Sequence, residues 1–256
     1  MSEKPIVKHR LKKRIFVSAA LIVLIIPAVL ILCSRLMRTM KWSLSLFGHP
    51  VVIRLHYAVS LLIIICTMIP FFMIFEKRKP QARELVTIAT LSAIAVISRA
   101  AFFMLPQFKP MSAVIIIAGV CFGPESGFLV GAVSCFVSNM FFGQGSHTPW
   151  QMFCFGIIGF IAGLLFHKGL IKRNTITLCI YGGLSVFFIY GGIVNFGSLL
   201  NMGVKLNWKT IVAYYASGFL FDLIHAGATV VFLFLFSRPM IEILERIRKK
   251  YGLIET

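Results

Sequence analysis

Residues 211–236 read IVAYYASGFLFDLIHAGATVVFLFLF, and this stretch decides the fold class. A helix needs about 20 predominantly apolar residues to cross a bilayer. This run exceeds that length and carries one acid, Asp222, and one histidine, His225. The rest of the chain has the same character. Of its 256 residues 59% are hydrophobic and 13% charged, with a mean hydropathy of +0.91. A soluble domain is about half apolar and about a quarter charged. The composition excludes a water-soluble globular enzyme, a disordered chain and a disulfide-rich secreted module. A polytopic, all-α membrane protein remains.

Seven further apolar runs precede this one. Ile15–Cys33 follows a basic tail (Lys4, Lys8, Arg10, Lys12, Lys13, Arg14). It is longer than the about 7–15 residues of a signal-peptide core, so it reads as a retained helix. Val51–Phe75 is the second span, with Arg54 and His56 able to snorkel at its start. A basic hinge around Pro80 follows. The core spans are then Glu84–Phe103, Met111–Phe122, Gly127–Phe142, Trp150–Phe166, Thr175–Val194 and Ile211–Phe236. Met111–Phe122 is too short to stand alone in lipid and is expected to be broken, re-entrant or packed inside the bundle. The domain reading is a basic tail with a two-helix extension (1–80), a six-span core (81–237) and a basic amphipathic tail (238–256).

The net charge of +18 is clustered between apolar runs, as membrane-flanking charge is, and not spread as a nucleic-acid footprint. With the N-terminus placed inside, eighteen Lys/Arg fall on inner segments and seven on outer ones, which puts both termini in the cytoplasm. The six cysteines form no CxxC and lie mostly within apolar runs, as apolar filler. No P-loop, HExxH, GxSxG or metal-ligand spacing occurs, so uphill transport by ATP requires the ATPase on another chain. No cofactor or metal is expected.

The polar residues inside the spans are few. Arg99 and Asp222 fall at comparable depths on antiparallel spans, so an Arg99–Asp222 ion pair is expected, either as a strut or at a ligand site. His225 shares a helix face with Asp222 and is either a structural histidine or part of a proton relay. The loop from Phe141 to Met152 clusters Gln144, His147, Trp150 and Gln151. An aromatic belt accounts for Trp150 alone, whereas the amides and imidazole beside it suit an amphipathic ligand. Ala89 and Ala93, with Ser92 beside them, and the pairs Gly127/Gly131 and Gly159/Gly163 have the small-xxx-small spacing of closely packed helices. The alanine pair is also a candidate partner-docking face.

Four features together resemble the substrate-binding (S) components of energy-coupling factor (ECF) vitamin transporters. They are Ala89-x-x-x-Ala93; Phe108-Lys109-Pro110 leading to Gly119 and Phe122-Gly123-Pro124-Glu125-Ser126-Gly127; Gln144-Gly145 followed by Thr148-Pro149-Trp150-Gln151-Met152; and Phe221-Asp222-Leu223-Ile224-His225-Ala226. The resemblance covers about residues 82–236 and is greatest to the cobalamin-type group. Two departures stand out: residues 1–80 add two spans, and Ser146-His147 replaces a Pro-Trp pair common in those relatives. The resemblance implies a six-helix bundle in a bacterial plasma membrane, not an enzyme. It would bind a vitamin from outside, cobalamin or a related corrinoid first and riboflavin next. It would then dock on a membrane T component driven by two ATPase subunits, with Ala89, Ser92 and Ala93 facing the T component. Phe108, Lys109, Gln144, His147, Trp150 and Gln151 would lie near substrate, with Arg99, Asn139, Asp222 and His225 completing the candidate set. An ion-coupled transporter using Asp222 and His225, and an intramembrane enzyme using the same pair, are the rival expectations.

Overall fold

The computed structural model describes residues 41–46, 49–77, 80–202 and 207–252. The expected span Ile15–Cys33 and the basic tail before it lie outside these residues. The chain falls into two compact units, Met1–Ile63 and Ile64–Thr256. In the first, β1 (Lys41–Leu46) and β2 (His49–Arg54) form an antiparallel pair with Lys41 opposite Arg54 and Leu46 opposite His49. Residues 51–54, expected to open the second span, are therefore strand. Helix α1 starts after them and runs Leu55–Lys77. Trp42, Val51, Val52 and Ile53 supply the β-branched and aromatic content that favours an extended pair.

The second unit is a helical bundle. Among the described residues, five helices are long and apolar enough to cross a membrane. They are α2 (Ala82–Ala101), α4 (Pro124–Phe142), α5 (Thr148–His167), α6 (Thr175–Met202) and α7 (Trp208–Tyr251). Each lies where the sequence places a span, and α7 continues through Pro239 into the basic tail as one 44-residue helix. The sixth core helix, α3 (Met111–Phe122), has twelve residues and all are buried. At 1.5 Å per residue it is about 18 Å long, too short for lipid, and the bundle shields it on every side. The last part of α1 packs on this unit through Ile64, Met68, Phe71 and Phe75. Phe71 stacks on Phe128 at 4.1 Å between ring centroids and meets Phe160 edge-on at 5.0 Å.

Sequence chemistry explains the helix boundaries. Pro80 precedes the first turn of α2. Gly123, at φ +93°, ends α3, and Pro124 begins α4 immediately after it. A left-handed residue followed by proline reverses the chain with little loop. Asn174 caps α6 by accepting the Thr177 N–H at 2.7 Å, and Asn207 caps α7 by accepting the Thr210 N–H at 2.8 Å. The helices α4 and α5 approach at glycines: a Cβ on Gly127 would lie 2.4 Å from the Gly159 carbonyl oxygen, and one on Gly159 would lie 2.2 Å from that of Gly127. The expected packing role of the Gly127/Gly131 and Gly159/Gly163 pairs is thus met. Two π-helical segments, Gly163–His167 and Ser185–Gly191, interrupt α5 and α6.

The connections define two ends. The α2–α3, α4–α5 and α6–α7 connections share one end, here the distal end. The α1–α2, α3–α4 and α5–α6 connections and the end of α7 share the other, the proximal end.

Candidate functional site

At the distal end Arg99, in the last turn of α2, reaches across to α4. Its Nη1 donates to Ser138 Oγ at 2.5 Å and to Asn139 Oδ1 at 2.7 Å. Asn139 is fully buried. Its amide nitrogen donates to Gln151 Oε1 at 2.9 Å and Thr148 Oγ1 at 3.2 Å, both on α5. Thr148 Oγ1 also accepts the Gly145 N–H at 3.2 Å, tying the α4–α5 loop into the network. The Arg99 guanidinium lies 5.0 Å from the Phe142 ring centroid. Hydrogen bonds to a charged group contribute about 1.5–3 kcal/mol each, enough to offset much of the about 3 kcal/mol cost of an arginine within the bilayer.

The expected Arg99–Asp222 ion pair is not formed. Asp222, on α7, instead accepts from Asn195 Nδ2 on α6 at 2.6 Å. Its carboxyl sits over Gly191, where a Cβ would meet it at 2.7 Å. The reason lies in the neighbour relations: α2 packs on α4 and α7 packs on α6, so each polar side chain is satisfied by the helix beside it. Depth along the membrane normal does not decide the pairing.

Asp222 and His225 also diverge. His225 is 5% exposed, and its Nε2 lies 2.9 Å from Ser112 Oγ of α3. Its ring sits edge-on to Tyr190 at 4.8 Å and near Phe155 at 6.2 Å. Its Nδ1 has no hydrogen-bond partner. Asp222 faces α6 and His225 faces α3, so neither a proton relay nor an acid–base pair links them.

The α2–α3 connection carries Phe108 and Lys109, both half-buried. Phe108 packs on Phe232 at 5.4 Å and on Phe102 at 6.2 Å. Burial, and then the nearby Arg99 charge, lower the pKa of Lys109 below the usual lysine range. In the α4–α5 loop Gln144 and His147 are exposed, and Gln144 donates to the Phe136 carbonyl at 2.9 Å. Trp150 turns inward. It is 2% exposed, lies against Gly197, and leaves its Nε1 without a partner. It is a core side chain and not a surface stacking platform. The structure therefore gathers Arg99, Asn139, Gln151, Phe108 and Lys109 at the distal end, leaves Gln144 and His147 on the surface there, and places Asp222 in a separate contact.

Ser138, Thr148, Ser112 and Asn195 were missed from sequence. Each is a hydroxyl or amide within or capping an apolar helix, and that isolation was the available signal.

On α2, Ala89 and Ala93 are exposed with Val86, Thr90 and Ile97. Ser92 does not belong to that face. It is 4% exposed, turned into the bundle, with its hydroxyl unpartnered. Beside the exposed face, a groove of about 700 Å³ runs between α2 and the end of α7, lined by Val86, Thr90, Ile94, Met240, Ile243 and Ile247 among others.

The described residues thus form a multi-pass helical bundle with a buried polar cluster at one end. Residues 83–237 match the family described as the ECF transporter, substrate-specific component, and the chain belongs to it. It is a transporter's substrate-binding subunit, not an enzyme, and membership implies association with a T component and ATPases. Among curated proteins it is similar to a UPF0397 protein of Vibrio atlanticus (strain LGP32), 30% identical over 125 residues, which is 46% of this chain and 68% of that protein. It is also similar to a UPF0397 protein of Aliivibrio fischeri (strain MJ11), 32% identical over 144 residues, 54% of this chain and 75% of that protein. No solved structure gives a significant match.

Proposed function

We propose that this chain captures a vitamin at its distal end and delivers it through an ATP-driven ECF importer, with cobalamin or a related corrinoid as first candidate and riboflavin as second. One observation carries the reading. Arg99, Ser138, Asn139, Thr148 and Gln151 make a connected polar network inside an apolar bundle, at the end where the α2–α3 and α4–α5 connections converge. Polar groups held at membrane depth mark substrate paths. Phe108 and Lys109 stand on the α2–α3 connection at this end, where Phe108 packs on Phe102 and Phe232, and Gln144 and His147 are exposed on the α4–α5 loop.

The excess of Lys and Arg at the proximal end and on the terminal tails supports a cytoplasmic location for both termini, so that the distal end faces outward. Capture from outside is followed by docking on the T component through Ala89 and Ala93, and reorientation is driven by two ATPase subunits. The test is mass spectrometry of the small molecule carried through purification, with calorimetric titration of a vitamin panel in the absence of ATP. A single vitamin bound tightly is expected; no binding across the panel would falsify the reading.

A further inference from the structure

The chain separates its charges by depth. Of its acidic residues, Glu76, Glu84, Glu125, Glu242 and Glu245 all lie at the proximal end, on the end of α1, the starts of α2 and α4 and the last turns of α7. Among the described residues Asp222 is the one acid elsewhere, and Asn195 holds it on the α6–α7 side. Among the described residues the distal end holds Arg99 and Lys109, both half-buried, and Lys209, exposed in the first turn of α7; the Arg99 charge acts on Lys109. Among the described residues neither Arg99 nor Lys109 belongs to an ion pair: Arg99 donates to Ser138 Oγ and Asn139 Oδ1, both neutral oxygens. At the proximal end cations do find carboxylates, as in Arg173–Glu245 and Arg238–Glu242.

Two like charges in a partly desolvated site repel, and the cost grows as the local dielectric falls. Neutral hydrogen-bond acceptors orient a guanidinium without cancelling its charge. Partly buried cations without a counter-charge are stabilised when an anion completes the site. Around this pair are Phe102, Phe108, Phe142 and Phe232, which suit a flat or apolar body attached to the anionic group.

We propose that the ligand of the distal site carries an oxyanion, a phosphate ester or a carboxylate, and that Arg99 and Lys109 are the residues that select it. This rests on the vitamin-capture reading above and deepens it. It ranks the candidates by chemistry: a corrinoid bearing the nucleotide-loop phosphodiester fits, while a neutral flavin does not.

The test uses the full chain in detergent or nanodiscs and titrates ligands in matched pairs: cobalamin against cobinamide, which lacks the phosphodiester; flavin mononucleotide against riboflavin; pantothenate against pantothenol; biotin against biotinamide. The first two pairs report phosphate and the last two carboxylate. Within the pair that binds, the anionic member is expected to bind about ten- to a hundredfold more tightly, the change for about one charge-assisted hydrogen bond. Arg99→Gln and Lys109→Gln are expected to remove that preference, and Arg99→Lys to keep part of it. If a neutral member binds as tightly as its anionic partner, and Arg99→Gln leaves its affinity unchanged, the anion proposal is overturned and vitamin capture stands. If nothing in the panel binds, both fall together.

Discussion

Asn139 shows how a single side chain joins three helices. It accepts from Arg99 and donates to Gln151 and Thr148, so its loss leaves several buried groups unsatisfied at once. Asn139→Leu, nearly isosteric and apolar, is expected to lower stability by about 1–3 kcal/mol, read as a drop in melting temperature of the detergent-solubilised protein. Trp150 argues differently. Packed on Gly197 at 2% exposure, it fills volume, and Trp150→Ala should cost about 3–5 kcal/mol through the cavity it leaves. The expected result is a large loss of folded yield, with Trp150→Phe recovering much of it. A ligand-stacking role at the surface would instead leave the melting temperature unchanged and affect affinity alone. The sequence identified Trp150 as a candidate but could not assign its direction, because whether a side chain at a loop–helix junction turns in or out depends on the helix opposite, here α6 with its glycine.

At the scale of elements, α3 is the telling case. Its twelve residues are mostly aliphatic, without polar periodicity, and its shortness left a broken, a re-entrant and a buried helix open; the structure encloses all of it. The contact between α4 and α5 is set by backbone, not by side-chain bulk. Gly159→Val would drive a branched side chain into the Gly127 carbonyl. Gly159→Val is expected to abolish accumulation of folded protein, whereas Gly192→Ala, with nothing within 4 Å of its new Cβ, is expected to accumulate normally. The proximal end of α7 is also anchored. Arg248 donates to the Cys121 carbonyl at 2.9 Å, at the C-terminus of α3, where a cation meets the negative end of the helix dipole. Arg248→Ala should speed hydrogen exchange in residues 240–251 without changing it in α4. The reading of 238–256 as a separate tail did not foresee this anchoring, since basic amphipathic residues look alike whether solvated or docked.

For the whole molecule, the division of labour follows from what the chain lacks and what it exposes. With no P-loop, the isolated chain is expected to bind ligand but not to concentrate it in liposomes, with or without ATP. Uptake should require the T component and ATPases. The Ala89/Ala93 face gives a more specific expectation. Ala93→Glu places a charge on an exposed small-residue face, about 9 Å along α2 from Arg99. It should abolish copurification with the T component and leave ligand affinity unchanged. Loss of ligand binding in that variant would show that the face belongs to the bundle's own packing.

Composition and apolar run length determined by themselves that the chain beyond Pro80 is a helical membrane bundle and where its core spans lie, because removing a peptide backbone from water leaves few solutions other than a helix. The order of small and polar motifs also placed it in its family. Pairing was decided only in three dimensions. Arg99 bonds to Ser138 and Asn139, Asp222 to Asn195, His225 to Ser112, and Ser92 turns inward. Each choice depends on which helix stands alongside and how it is rotated. A one-dimensional pattern gives a residue's depth in the membrane, but the azimuth that chooses its partner is fixed by close packing among all the helices at once.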